Sequence, residues 1–519
     1  MFKIILSRLL GKSGRPGRHR KAASANLRLT KSLQQNVELF REIFSDDEMV
    51  VFREFQNNAS KLQCALIFVN GMVDVEMLNE SMIRPVIESH APGGADGENL
   101  PRILMEQVID AAEVSTESGV YAAAGKVLSG EAALLIDGWD GVIMADVKSF
   151  GTRAITESTT EVSIRGPKEA FTEALIINLT MIRRRIKTHA LKFKFKEIGA
   201  RTKTKICVCY IEGIANEKIV EEVNKRLDDI KIDGVLDSGY IEELIRDSPL
   251  SPLDTINHTE KPDSIAGNLL EGRVAVVVDG SPFVLSMPFL FMEYLQVPED
   301  YYVNYAFSSF MRFVRILGFL VATSLPALWL ALVTYHQEML PTTLLLAIFS
   351  ARQAVPFPKV LETLVLIIIF DVLRESGARM PTPVGTGISF LGAIIIGQAA
   401  VDARLLSPVL VVVVAITGIT TFLLPKMYPP LALIRLFLVL LAAVLGLYGY
   451  AFGIIALLIH VLSMRSFGVP YLKGTGTLKW EDIRDTAIRA PWWLLYYRPQ
   501  LIGDQNVRRQ QPRDRRKSR

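Results

Sequence analysis

The apolar and polar positions of this chain follow two different patterns. Between about residues 33 and 268, short β-rich runs alternate with amphipathic stretches of helical spacing. The clearest β-rich runs are 64–70, 132–137, 205–212 and 274–279. Helix-like stretches at 74–88 and 216–230 follow the first and third of these runs. Strands interleaved with helices predict a soluble α/β or α+β N-terminal domain.

The β-rich runs match one another at a fixed offset of 142 residues. Residues 69–71 correspond to 211–213, and residues 136–138 correspond to 278–280. A register kept without a gap predicts two related subdomains, at 31–150 and 151–290. The alternative is that two similar strand-and-turn signals coincide by chance.

Glycines follow the matched runs at equivalent positions. A tight turn with positive φ is expected where a β-rich run ends in Asp-Gly and apolar residues follow. No ligand is needed to explain such glycines. We therefore predict four structural turn residues, Gly71, Gly138, Gly213 and Gly280.

From residue 310 to residue 465 the pattern changes to long apolar runs. Runs of about 15–20 residues match the length needed to cross a hydrocarbon core roughly 30 Å thick. Charged residues make up about 10% of this region and about 27% of the rest of the 519-residue chain, whose mean hydropathy is +0.28. This distribution excludes a single soluble globular protein. It predicts a polytopic α-helical membrane domain after the soluble domain.

Basic residues give the predicted orientation of these spans. Arg312 and Arg315 precede the first span, Arg374 and Arg379 follow the second, and Arg465 follows the last. Such ends remain in the cytoplasm by the positive-inside rule. We therefore predict six crossings with both termini cytoplasmic, the last two at about 430–447 and 450–464.

Two prolines interrupt the second of these spans. Each proline lacks a backbone N–H and clashes with the preceding turn, so we predict a broken helix at 354–360. Broken backbone at membrane depth requires protein groups or a water-filled cavity to satisfy it. The break therefore gives candidates for an ion pathway or hinge, Pro356, Phe357, Pro358, Lys359 and Glu362.

Glu362 places a carboxylate in an otherwise apolar helix, and such residues are usually functional. The alternative is a structural ion pair between Glu362 and Lys359 or Arg352. Asp371 and Arg435 raise the same question, since both lie within apolar stretches.

Charge is concentrated at the chain ends. Residues 1–21 contain seven basic residues and no acid, and residues 498–519 contain eight basic residues and two acids, against a net charge of +4. The body between them is therefore acidic, which argues against nucleic acid as a partner. We expect a disordered basic extension at 1–30 and a cytoplasmic basic tail at 466–519, both facing anionic membrane lipids. The alternative is that these ends serve only topology and solubility.

The chain contains no recognisable catalytic or metal-binding motif. Its three cysteines, Cys64, Cys207 and Cys209, offer neither a disulfide framework nor metal-ligand spacing, which fits a reducing compartment. Phosphate-binding glycine loops and HExxH are absent, and the six histidines are scattered. We expect no enzymatic activity, no cofactor and no metal.

Several short motifs, in a fixed order, resemble one protein family. They are Thr-Glu-Lys-Pro-Asp at 259–263, Leu-Glu-Gly-Arg-Val at 270–274, Val-Asp-Gly-Ser-Pro-Phe at 278–283 and Pro-Phe-Pro-Lys-Val-Leu-Glu at 356–362. With the large hydrophilic domain before the spans, they make residues 30 to 500 similar to the A subunits of GerA-type spore germination receptors of endospore-forming bacteria.

The resemblance implies a multi-pass protein of the spore inner membrane with a cytoplasmic N-terminal domain. It implies a transporter-like B subunit and a lipoprotein C subunit as partners, and a role in nutrient-triggered germination. It also implies a homo-oligomeric ring of A subunits that forms the ion-release conduit. The alternative is a scaffold or accessory germination protein of the same family, which aids dipicolinate or ion release without conducting itself.

Overall fold

The structure is a computed structural model of the chain. It describes residues 27–89, 100–111, 113–149, 161, 163–353, 355–379, 397–472, 485, 488–496, 498, 502 and 508–509. Most of the predicted N-terminal extension, residues 387–396 of the third span predicted at about 387–401, and much of the predicted C-terminal tail lie outside the described residues. The chain divides into two compact units, Met1–Thr152 with Ile186–His189, and Arg153–Arg185 with Ala190–Arg519.

The first unit is built around a five-stranded antiparallel sheet of order β1-β2-β4-β5-β3. Its strands are β1 (Val50–Gln56), β2 (Gln63–Val69), β3 (Val114–Glu117), β4 (Ala132–Ile136) and β5 (Val142–Ala145). Its helices are α1 (Leu33–Ile43), α2 (Val75–Leu78), α3 (Arg84–Glu88), α4 (Leu100–Ile103) and α5 (Val120–Val127), with π-helical turns at Asn79–Ile83 and Leu104–Val108. Helices cover both faces of the sheet, which explains why β2 and β4 are almost continuously apolar.

The second unit contains a sheet of the same kind, with order β6-β7-β9-β10-β8. Its strands are β6 (Leu191–Ile198), β7 (Thr204–Ile211), β8 (Asn257–Thr259), β9 (Val274–Val278) and β10 (Val284–Met287). Helices α6 (Leu175–Arg185) and α9 (Pro262–Glu271) pack beside β7 and β9, while α7 (Glu217–Asp228) and α8 (Ser238–Ile245) share a buried apolar cluster with the same strands. We call this sheet with its four helices the second subdomain.

The two sheets are related by the offset found in the sequence. Both have the same strand order, and the limits of β4, β5 and α1 coincide with those of β9, β10 and α6 when 142 is added. The soluble part is thus α/β, as the sequence predicts, and its halves share one topology.

In each sheet, the aspartate of an Asp-Gly pair caps the first helix that packs beside the sheet. Asp137 Oδ1 accepts a hydrogen bond from Leu33 N at 3.1 Å, and Asp279 Oδ1 accepts one from Leu175 N at the same distance. The following residues, Gly138 and Gly280, have φ of +86°, a region that residues with a Cβ rarely adopt. The aspartate therefore caps a helix far away in sequence while the glycine turns the chain.

The two glycines after β2 and β7 also have positive φ, +79° at Gly71 and +72° at Gly213. In each copy an Asx side chain then begins the next helix. Asp74 accepts from two backbone N–H groups at the start of α2, and Asn216 accepts from Lys218 N at the start of α7. The strand, turn and helix thus follow the same local design in both copies.

Apolar helices follow the second sheet. They are α10 (Tyr305–Tyr335), α11 (Thr342–Arg352), α12 (Lys359–Arg379), α13 (Pro408–Thr421) and α14 (Tyr428–Ser463), with a further helical stretch at 397–402. Among the described residues, two helical segments, Tyr305–Tyr335 and Pro425–Ser463, have the length and hydropathy that a membrane-crossing helix needs. A short hairpin of β11 (Arg465–Ser466) and β12 (Val469–Pro470) comes after α14.

Helix α14 reverses direction at Gly446, whose φ of +62° and ψ of −139° are not helical. A Cβ on Gly453 would lie 2.6 Å from Leu438 Cδ2. These residues would be about 22 Å apart in a straight helix, so their contact requires the two halves to fold back on each other. Gly446 itself lies against Tyr335, the last residue of α10. The reversal falls between the two spans predicted at 430–447 and 450–464.

The Asp-Gly device gives a first prediction. In Asp279→Ala, Leu175 N loses its acceptor, which costs about 1 kcal/mol for a cap of this kind and corresponds to roughly fivefold faster amide exchange in the first turn of α6. Hydrogen-exchange mass spectrometry on the full chain measures it. Asp137→Ala is expected to do the same in α1, while Asp233→Ala, at a largely exposed loop acid, serves as the control. Equal exchange in Asp279→Ala and Asp233→Ala would show that the carboxylate does not cap the helix.

Candidate functional site

The proline pair lies between two apolar helices. Helix α11 ends at Arg352 and α12 begins at Lys359, with Pro356, Phe357 and Pro358 exposed between them. Arg352 Nη2 donates a hydrogen bond to the Phe357 carbonyl at 2.8 Å. A side chain therefore satisfies one of the backbone groups that the break leaves without a helical partner.

Glu362 lies at the centre of the contacts around this break, and only 2% of it is exposed. Its Oε2 is 3.2 Å from Arg352 Nε, and its Oε1 accepts a hydrogen bond of 2.6 Å from Ser407 N. Ser407 is the residue immediately before α13. The carboxylate thus connects α11, α12 and the start of α13 through one buried ion pair and one charge-assisted hydrogen bond.

Lys359 makes different contacts from Glu362. Its ammonium donates a hydrogen bond to the Val333 carbonyl and lies 5.5 Å from the ring centre of Phe349. A cavity of about 10 Å³ beside the ion pair is lined by Trp329 and Thr363 among others, which is close to the space that one water needs. Of the two partners expected for Glu362, the structure pairs it with Arg352.

These contacts place the proline break near the end of α10. Val333, which accepts from Lys359, is two residues from the end of α10. A second ion pair lies just past the middle of α12, where Arg435 Nη2 of α14 is 2.7 Å from both carboxylate oxygens of the partly buried Asp371. Two ion pairs, one in the first turn and one near the middle, therefore hold α12 to its neighbours.

The start of α10 rests on a third group of charges. Asp300 is nearly fully buried, and it accepts from Arg312 Nε at 3.0 Å and from both terminal nitrogens of Arg315 at 2.8 Å. Arg312 also pairs with Asp485 at 3.0 Å. The arginines used to predict orientation are thus engaged in buried ion pairs at the entrance of the helix.

Two segments next to the apolar helices dock on the second subdomain, and we call these contacts the junction. The first segment is the turn between α13 and α14, where Lys426 Nζ donates to Asn257 Oδ1 at 3.1 Å and to the His258 carbonyl at 3.2 Å. It also pairs with Glu161 at 2.8 Å. Asn257 and His258 belong to β8, the edge strand of the second sheet.

The second segment of the junction directly follows α14. The buried Ser466 hydroxyl donates to the Thr255 carbonyl at 2.6 Å and accepts from Phe289 N at 3.1 Å. Phe467 N donates to Asp247 Oδ2 at 2.8 Å, and the Tyr471 hydroxyl donates to the Asp254 carbonyl at 2.5 Å. Phe467 joins the core of the second subdomain.

Two titratable groups of the second subdomain lie beside the junction. The Glu242 carboxylate, 3.6 Å from the His258 ring, raises the pKa of His258, while burial and the charge of Lys426 oppose this effect. Burial raises the pKa of Asp254, and the nearby Glu242 acts in the same direction. Hydrogen bonding from Tyr294 and the charges of His258 and Arg246 oppose it.

The junction was not predicted from the sequence, because residues 466–519 were predicted to form a cytoplasmic basic tail. One signal could have indicated a buried segment here. Phe467, Val469 and Tyr471 alternate with the period of a strand that is buried on one face. All three side chains are buried. No comparable pattern marks Lys426, whose neighbours come from residues about 170 positions earlier.

Comparisons with known proteins agree with one another. Residues 38–501 match the family described as Bacillus/Clostridium GerA spore germination protein. The chain is 38% identical to spore germination protein KA of Bacillus subtilis over 93% of this chain and 89% of that protein. It is 36% identical to the membrane protein YfkQ of the same organism, over 94% of this chain and 95% of that protein.

A solved structure is also similar. The crystal structure of the N-terminal domain of the A subunit of the Bacillus megaterium spore germinant receptor GerK3 matches 51% of this chain and 98% of that domain, with 34% identity and a TM-score of 0.42. The match of the family to most of the sequence, together with relatives above 30% identity over nearly their full length, confirms the resemblance found in the motifs. The chain belongs to the GerA family of spore germination proteins.

Proposed function

We propose that this protein is the A subunit of a germinant receptor, which passes a nutrient signal between its soluble domain and its membrane helices. The junction is the observation that supports this role most directly. A subdomain in contact with both ends of α14 can move the helices only if the contacts are stiff. The buried hydrogen bonds of Ser466 and the partly buried contacts of Lys426 have this character. Relatives named as spore germination proteins support the biological setting.

The proposal includes a multi-pass arrangement in the spore inner membrane with both termini cytoplasmic. Three observations support it. Tyr302, just before α10, donates to Asp263 of α9, and Lys426 and Ser466 also contact the second subdomain. Gly446 instead lies against the end of α10. Helices that cross a membrane one after another have their ends alternately on its two sides. The proposed partners are a transporter-like B subunit, a lipoprotein C subunit and further copies of the chain.

The proposal also assigns the ion-release pathway to the region of the proline break. Exposed Pro356, Phe357 and Pro358 lie beside a buried Arg352–Glu362 pair that joins three helices. A buried pair of this kind is stable only while both partners stay together. We propose that the Glu362 carboxylate of this pair lines the pathway when the helices move.

The proposed topology predicts which positions a membrane-impermeant thiol reagent reaches in intact cells. Single cysteines in place of Met339 and Arg404 are expected to react from outside, and one in place of Arg379 is expected not to react. All three side chains are exposed within the structure, while native Cys64, Cys207 and Cys209 are buried and add little background. Permeabilised cells provide the control, since Arg379→Cys must react there. Labelling of Arg379→Cys in intact cells would contradict the assignment.

If the junction carries the signal, a substitution in it is expected to slow cation release without lowering the amount of protein. Ser466→Ala leaves a buried carbonyl and a buried N–H without their partner, at about 1–3 kcal/mol, so nutrient-triggered cation release is expected to slow by roughly fivefold or more. Ser463→Ala, three residues earlier and exposed, is the matched control. Release and protein level are measured in spores carrying each variant. Normal release at normal level in Ser466→Ala would remove the junction from the signalling path.

The Glu362 carboxylate tests the pathway itself. Glu362→Gln keeps the shape of the side chain, and it is expected to slow cation release at a normal protein level if the carboxylate faces the pathway. A purely structural pair predicts instead that Glu362→Gln loses protein, because an uncompensated Arg352 costs about 3–5 kcal/mol, and that Arg352→Gln with Glu362→Gln restores both level and release. Glu338→Gln, at an exposed carboxylate in the turn after α10, is the control.

Cation flux through vesicles containing the purified chain separates conduction from scaffolding. A conducting subunit is expected to give flux that Glu362→Gln reduces. Vesicles that stay tight, with oligomeric protein inserted in them, would instead favour the accessory scaffold that aids ion or dipicolinate release without conducting.

A further inference from the structure

An exposed aromatic surface surrounds the entrance of α10. Phe307, Phe310 and Phe313 on the first turns of the helix are 56%, 60% and 55% exposed. Trp493, in the segment 488–494 that returns beside the helix, is 50% exposed and packs edge-on against Tyr305 with ring centres 5.6 Å apart. Large exposed apolar surfaces of this kind mark contacts with another protein or with a membrane.

The returning segment is held in a fixed position. The Arg489 guanidinium is buried and lies 5.6 Å from the ring centres of both Tyr301 and Trp492. Trp492 Nε1 donates to the Tyr301 carbonyl at 3.3 Å, and Ser309 donates to the Arg489 carbonyl at the same distance. The charged and polar groups of the segment thus face the protein, while Ile488, Trp493 and Leu494 remain exposed.

The length of α10 indicates what covers this surface. Its 31 residues rise about 46 Å, whereas a hydrocarbon core of about 30 Å takes up roughly 20 residues. The remaining turns, at the end where Asp300 holds Arg312 and Arg315, then fall at the level of the lipid headgroups. The aromatic surface is continuous with the apolar face that follows it along the helix, where Leu317 and Leu320 are also exposed.

We propose that residues 488–494 and the first turns of α10 form an interfacial anchor, which lies in the headgroup and upper acyl region of the bilayer on the side of the soluble domain. Tryptophan, tyrosine and phenylalanine favour this zone because a flat amphipathic ring suits a boundary between water and hydrocarbon. The sequence after this segment contains eight basic residues in 498–519, and basic residues near a membrane surface attract anionic headgroups. The anchor fixes the height of the second subdomain above the membrane through Tyr301 and Arg489.

A nitroxide label measures the depth of Trp493 directly. The full chain carrying Trp493→Cys is labelled and placed in vesicles of phosphatidylcholine and phosphatidylglycerol, and collisions with oxygen and with a water-soluble nickel chelate are compared. Asp233→Cys, at a loop side chain of the second subdomain that is 87% exposed, gives the aqueous reference, and Leu320→Cys, halfway along α10, gives the deep reference. The Trp493→Cys label is expected to meet nickel at least about threefold less often than the Asp233→Cys label and to be shallower than the Leu320→Cys label.

Two results would overturn the anchor. Nickel access equal to that at Asp233→Cys would place the segment in water, and low access to both oxygen and nickel would place it under another protein surface. Intrinsic fluorescence provides an independent check on native side chains. Lipids brominated near the carbonyl end are expected to quench the parent chain more than the variant with both Trp492→Tyr and Trp493→Tyr, and equal quenching of the two would also contradict the proposal.

Discussion

Asp300 is the group on which the first turns of α10 depend, because its buried carboxylate pairs with both Arg312 and Arg315, while Asp485 supplies the second negative charge beside Arg312. Its two oxygens accept from Arg312 and from two nitrogens of Arg315. A buried guanidinium without a carboxylate partner would be strongly unfavourable. Asn304 caps the start of the helix, and these pairs hold its next turns in place. They also fix the rotation of its first turns, and with it the choice of side chains that face the protein and those that face outward.

The two sheets show how a repeated scaffold acquires different tasks. Both copies cap their first helix with the aspartate of an Asp-Gly turn, and both order their strands in the same way. In the second copy, the edge strand β8 also receives Lys426, and the loops before it receive Ser466 and Tyr471. The fold of the repeat is thus preserved by backbone geometry and capping, while the contacts with the apolar helices depend on side chains specific to the second copy.

The local pattern of apolar and polar residues was enough to predict the α/β class, the strands around 132–137 and 274–279, and the helix at 216–230. Each of these elements has its own periodicity. The 142-residue offset followed from the same local signals. The partners of Glu362 could not be obtained this way. Arg352, ten residues earlier and across the proline break, forms the pair, whereas Lys359 lies closer in sequence on the same helix and instead reaches Val333. Which of two nearby cations meets a carboxylate depends on how three helices pack, and no single stretch of sequence encodes it. The contacts of Lys426 and Ser466 were missed for the same reason.

The reversal at Gly446 has a mechanical consequence. The two arms of α14 run side by side, and the second subdomain grips the chain just before the first arm and just after the second. Because the hairpin is held at both of its open ends, a rotation of the second subdomain moves its two arms together as one rigid body. The largest displacement then occurs at its tip, the turn at Gly446. That tip lies against the end of α10, the same end whose Val333 carbonyl accepts from Lys359 beside the proline break.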